Sequence, residues 1–115
     1  MTTTTDSKKE IPDSPVIDLI RNTVRQQEPD AEIILYGSRA RGDARPDSDW
    51  DVLILRNKQK LDPLERGTIS YNLFLKGLEE LNQEINAREY TKTEWETTPV
   101  RTLFQYNVKR EGIRL

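Results

Sequence analysis

Two apolar runs, "AEIILYG" from Ala31 to Gly37 and "WDVLILR" from Trp50 to Arg56, constrain this chain more than any other feature. Neither alternates polar with apolar residues. A strand that is apolar on both sides needs cover on both faces, so helices are expected above and below a sheet. Between the runs lies "SRARGDARPDSD", which carries three arginines and three aspartates; a fourth aspartate, Asp51, stands inside the second run. A polar connection this long is unusual in a compact domain and is a candidate for function.

The remaining elements follow from periodicity and caps. Ser14 is a suitable N-cap and Pro15 a suitable first position for a helix to about Gln27, with Ile17, Ile20 and Val24 on one stripe. After the second run, Asp62, Pro63 and Glu65 have the spacing of a capped helix start. Tyr71, Phe74, Leu75, Leu78 and Leu81 then read as its buried stripe. "EINAREY", Glu84 to Tyr90, alternates like a strand with one exposed face. Thr98 and Pro99 open a final helix with Val100, Leu103, Phe104 and Val108 on its apolar face, closed by Gly112. The expected order is α-β-β-α-β-α. That describes an α/β (α+β) domain with a small mixed sheet and flanking helices.

With 115 residues there is room for one modest core. Residues 13–115 are expected to form one domain, and 1–12, "MTTTTDSKKEIP", a disordered tail. The absence of Cys and His excludes disulfides, thiolate–metal sites, a Ser-His-Asp triad and a histidine base. Eighteen basic against 20 acidic residues argue against a general nucleic-acid coat. No apolar run is long enough for a membrane span or a secretory signal, so a cytoplasmic protein is expected. Any catalysis must run on carboxylates, hydroxyls, Lys, Arg and metal.

The loop offers such chemistry. Asp49 and Asp51, two apart at a strand mouth, project from one face, about 6–7 Å apart along the chain, while Trp50 turns the other way. Such a pair suits Mg²⁺, which completes its shell with water and substrate phosphates. Two such ions, about 4 Å apart, stabilise the attacking and leaving oxygens of a phosphoryl transfer. Gly37 and Ser38, ending the first run, offer backbone N–H groups and a hydroxyl to phosphate. Arg39, Arg41 and Arg45 can add bidentate contacts. Taken singly, an Asp-x-Asp is often solvated surface and Gly-Ser an ordinary turn; the weight lies in their combination. Rival motifs fail. "GSRARG" lacks the Lys-Ser/Thr of a Walker loop, and the calcium-loop reading of Asp47, Asp49 and Asp51 meets Val52 where Gly is needed and Lys58 where Glu is needed.

These residues resemble the minimal nucleotidyltransferases of the DNA polymerase beta superfamily. Their hallmark is Gly-Ser, about ten residues, then Asp-x-Asp entering an apolar strand. Here it reads Gly37, Ser38, Ala40, Arg41, Gly42, then Ser48, Asp49 and Asp51. The resemblance implies Mg²⁺ ions at Asp49 and Asp51 and a nucleoside triphosphate, ATP, held by Gly37, Ser38, Arg39 and Arg41. It also implies a third carboxylate on a following strand, for which Glu84 is the candidate. Minimal members commonly pair with a small helical HEPN-type toxin. The expected activity is therefore transfer of a nucleoside monophosphate, AMP from ATP, to a hydroxyl of such a partner. The alternatives are an antitoxin acting by contact alone, and transfer to a small molecule.

Overall fold

A computed structural model of the chain describes residue 11, residues 14–97 and residues 102–115. The expected tail (Ile11 excepted) and the expected helix start at Thr98 and Pro99, with Val100, lie outside these residues.

Helix α1, Pro15–Gln27, begins as its cap predicts: the Val16 amide donates to Ser14 Oγ at 3.1 Å, with Pro15 in the first turn. Strand β1, Glu32–Tyr36, follows, then a single helical turn α2, Ser38–Arg41, and strand β2, Trp50–Arg56. Helix α3, Thr68–Lys76, runs on through a π-helical turn, Gly77–Leu81, to strand β3, Ile85–Thr91. Helices α4, Lys92–Thr97, and α5, Leu103–Glu111, precede a short strand β4, Ile113–Arg114.

The four strands lie in the order β3-β2-β1-β4. β1 is antiparallel to β2 and β4, whereas β2 and β3 are parallel, joined by the α3 crossover. The sheet is mixed, as expected, and covered on both faces. Ile17, Ile20 and Val24 of α1 and Ile69 and Leu73 of α3 pack with Ile33, Leu35, Val52, Ile54 and Ile85 on one face. On the other, Leu53, Leu55 and Val108 are buried beneath Tyr36, Tyr90, Trp95 and Phe104. Fully buried side chains of this kind contribute about 1.5–3 kcal/mol each.

Three expectations about the elements change. The helix expected from Pro63 is a single turn: Glu65 and Arg66 amides donate to the Asp62 carbonyl, and Gly67, at φ 99°, then breaks the path. α3 starts only at Thr68. The buried face consequently shifts to Ile69 and Leu73, while Tyr71, Phe74 and Leu78 remain 64%, 38% and 41% exposed. The fold also adds α4, which periodicity did not predict. It opens on a reciprocal cap in which the Glu94 amide donates to Thr91 Oγ1 at 2.9 Å and the Thr91 amide to Glu94 Oε1 at 2.8 Å. Finally, the chain beyond Gly112 forms β4, pairing Leu35 with Ile113.

One buried ionic node ties the elements together at the sheet end away from the loop. Arg56, 5% exposed, donates at 2.9 Å to both Glu28 after α1 and Glu89 of β3. The second oxygens are also occupied, Glu28 Oε2 by the Asn57 amide and Glu89 Oε2 by the Ser70 amide and hydroxyl. A buried charge set is tolerated when every lone pair is answered.

Candidate active site

The site forms where β1, β2 and β3 open toward the loop. The β1–β2 register sets Tyr36 opposite Asp51, and the β2–β3 register sets Asn86 opposite Asp51. Asp49 stands just before β2. Its Oδ2 accepts from Asn86 Nδ2 at 3.1 Å, so Asp49 lies beside the residue that flanks Asp51. Trp50 turns into the core at 6% exposure, its Nε1 donating to Gln83 Oε1 at 3.0 Å.

The carboxylates repel one another. Asp51 is pushed above the ordinary carboxylate range, first by burial and then by the charge of Asp49, with Glu84 adding to the effect; Arg88 and Arg41 oppose it. Tyr36 is pushed up to about 12, by burial first and the Asp51 charge second, and so stays a neutral hydroxyl. Burial leads in both shifts, and the negative charge beside each group adds a part that a cation would relieve.

Glu84 precedes β3 and is exposed; its Oε2 accepts from the same Asn86 amide at 3.1 Å. Asn86 thus bridges Asp49 and Glu84 and takes the place directly across from Asp51. Among the described residues no group of three or more Asp, Glu, His or Cys side chains is disposed to hold a metal ion. Two aspartates with an amide between strands still fit Mg²⁺, which needs one or two carboxylates and fills its remaining positions from water and phosphate.

Gly37 caps α2 at φ 78°, ψ −161°, a conformation open to glycine alone. Its Cα lies against Asp51: a Cβ there would sit 2.6 Å from Asp51 Oδ2. The glycine therefore serves close approach to a carboxylate of this chain as well as any approach of a ligand. Ser38 opens α2, and the first amides of the turn have no intrahelical acceptor.

The arginines divide. Arg39 Nη2 donates to the carbonyls of Ser48 and Pro46, at 2.9 and 3.2 Å, and its guanidinium stacks 4.4 Å from the Trp50 ring. It braces the loop. Arg41 pairs with Asp43 at 3.1 Å and Glu111 at 3.2 Å. The side chain of Arg45 makes no ion pair among the described residues; its backbone amide donates to Ser48 Oγ at 2.8 Å.

Glu111, at the end of α5, is a member of the site that reading the sequence missed. Its Oε1 accepts from the Gly37 amide at 3.1 Å, and its carboxylate, 9% exposed, takes both contacts to Arg41 Nη1. Nothing local signals a partner 74 residues away. Arg88 was also missed. It lies on β3, on the face of Asn86, with its guanidinium 4.2 Å from the Phe104 ring.

With this geometry in hand, known proteins give a consistent picture. No curated protein sequence matches the chain significantly. Solved structures do. One of a toxin–antitoxin with AMP-PNP superposes with a TM-score of 0.60 at 20% identity, covering 88% of this chain and 72% of that one. Two mutants of the toxin–antitoxin MntA-HpeT give 0.58 each, at 17% and 22% identity, covering 88% and 86% of this chain and 71% and 70% of theirs. At such identities the likeness is one of fold. No described helix is long and apolar enough to cross a membrane. A family model for the nucleotidyltransferase domain matches residues 17–114, nearly the whole described region, and the chain belongs to that nucleotidyltransferase family.

Proposed function

We propose that this nucleotidyltransferase transfers AMP from ATP to a hydroxyl of a small helical partner protein of the HEPN type, and acts as its antitoxin. The observation that carries the reading is the shared edge of Asp49 and Asp51, set against the Gly37–Ser38 turn. In this reading the β- and γ-phosphates rest on the first amides of α2 and the Ser38 hydroxyl. Asp49 and Asp51 hold Mg²⁺, which when bound neutralises charge on the phosphates and on the departing pyrophosphate. The acceptor oxygen attacks the α-phosphorus, the bridge to the β-phosphate breaks, and Glu84 takes up the hydroxyl proton. No histidine is required.

A protein acceptor is supported by the surface beside Asn86. An open depression of about 310 Å³ there is lined by Tyr71, Phe74, Ile85 and Asn86, and Tyr71 and Phe74 are large apolar side chains left exposed. Exposed aromatic side chains near a site are typical of protein-binding surfaces. The solved neighbours are themselves toxin–antitoxin proteins, one of them with AMP-PNP.

The test is incubation with labelled ATP, Mg²⁺ and the protein encoded beside it. Label moves to that protein from the wild type and not from a chain carrying both Asp49→Asn and Asp51→Asn; transfer by the double variant would overturn the assignment. One observation favours a second reading, neutralisation by contact alone: an amide, not a carboxylate, faces Asp51. Rescue of cells by the double variant would select it.

A further inference from the structure

Of the cations near the carboxylates, Arg39 is committed to the loop carbonyls and the Trp50 ring, and Arg41 to Asp43 and Glu111. Arg88 is different. It lies two residues beyond Asn86 on β3, paired in register with Leu53, and so projects from the face that carries Asp51. Although Asp51 feels its charge, Arg88 makes no ion pair and no side-chain hydrogen bond among the described residues. Its guanidinium is instead laid on Phe104, a ring fixed edge-on by Tyr36 at 5.4 Å and Trp95 at 5.9 Å. That stacking holds the planar group in place and leaves its N–H donors unspent, the condition for bidentate capture of an oxyanion.

The strand order decides which oxyanion. Gly37 and Ser38 follow β1, Asp51 belongs to β2 and Arg88 to β3. Across the sheet the two anion-binding ends lie two strand spacings apart, roughly 9–10 Å, with β2 between them, and Arg88, in register with Leu53, stands a further two residues along the strands from Asp51. With the terminal phosphates on the Gly37–Ser38 turn, the part of the nucleotide that extends past Asp51 toward β3 is the α-phosphoryl group. From strand order, the fixed ring and the unspent donors, we propose that Arg88 binds the α-phosphoryl oxygens, gripping the group to be transferred from the side opposite the Gly37–Ser38 turn. This inference rests on the nucleotide-binding reading above.

Calorimetric titration of the full chain with Mg²⁺, using AMP-PNP and inorganic pyrophosphate as probes, separates the two ends. Arg88→Gln is expected to weaken AMP-PNP by about tenfold, the scale of hydrogen bonds to a charged group, and to leave pyrophosphate within about twofold. Ser38→Ala is expected to weaken both. Arg88→Lys, which keeps the charge and loses the fork, should recover part of the AMP-PNP affinity. Because Arg88 is exposed, circular dichroism should show Arg88→Gln folded as wild type. Equal loss of both probes, or unchanged AMP-PNP affinity in Arg88→Gln, would overturn the assignment while the functional reading stands. An unchanged affinity joined to a raised KM for the acceptor protein would place Arg88 on the acceptor instead. A wild-type chain that binds neither probe would remove the functional reading and this inference together.

Discussion

Asn86 Nδ2 lies 3.1 Å from Asp49 Oδ2, an amide donor set against a carboxylate where β2 and β3 open. The same nitrogen is 3.1 Å from Glu84 Oε2. One neutral side chain thus spaces two negative charges while standing across from a third, Asp51.

Asn86→Asp should therefore act in two directions at once. Without metal it converts a bridging donor into a fourth charge and lowers stability by about 1–3 kcal/mol, the range for a lost bond to a charged group. With Mg²⁺ it adds a ligand and should tighten cation binding. Melting curves with and without Mg²⁺ would check this; a variant as stable as wild type in EDTA, with no added gain from Mg²⁺, would show that Asn86 does not control the cluster.

Asp51→Asn should raise the melting temperature of the metal-free protein by a few degrees, about 1–4 °C. The sign follows from the direction of its shift. A carboxyl raised in the folded state binds its proton more tightly there, so its favourable contribution is full below the ordinary carboxylate range and is lost as pH rises through the raised value. The advantage of the variant should accordingly be absent in acid and grow toward neutral pH. Thermal melts of both proteins across that range, in EDTA, are the measurement.

Arg56→Met leaves Glu28 and Glu89 buried without their cation. Breaking a buried set from one side is expected to destabilise by about 3–5 kcal/mol. Urea unfolding would measure it, and because the node lies at the far end of the sheet, nucleotide affinity of the folded fraction should be unchanged.

Gly37→Ala forces a side chain into φ 78° and against Asp51 Oδ2. The backbone term alone is about 1–3 kcal/mol. Displacing Asp51 by the better part of an ångström should also lower nucleotidyl transfer by about 10²-fold. A variant with wild-type turnover would mean that the glycine serves the turn alone.

Much of this was legible in the sequence because the signals were local. Ser14 and Pro15 fixed the start of α1, and the two apolar runs became β1 and β2 with both faces covered. The Asp49, Asp51, Gly37 and Ser38 placements required only a hairpin-like pairing of those runs. What failed depended on a single torsion or on distance along the chain. Gly67 reset the phase of α3, so that Ile69 and Leu73 displaced the Tyr71 stripe from the core. The Thr91–Glu94 cap is local, but Thr91 also ends β3, so the strand pattern runs straight into α4. Whether Glu84 or Asn86 faces Asp51 is a question of parallel register, which no local pattern states. Glu111 and Arg88 enter only through the packing of α5 across the sheet.

The bond from the Gly37 amide to Glu111 has a consequence for how this protein comes into being. A nascent chain emerging from the ribosome displays both aspartates and the glycine–serine turn long before residue 111 is synthesised. Until α5 docks, the Gly37 amide lacks its carboxylate acceptor and Arg41 is left with Asp43 alone. The turn thus reaches its braced form only once residues 103–111 have folded against the sheet.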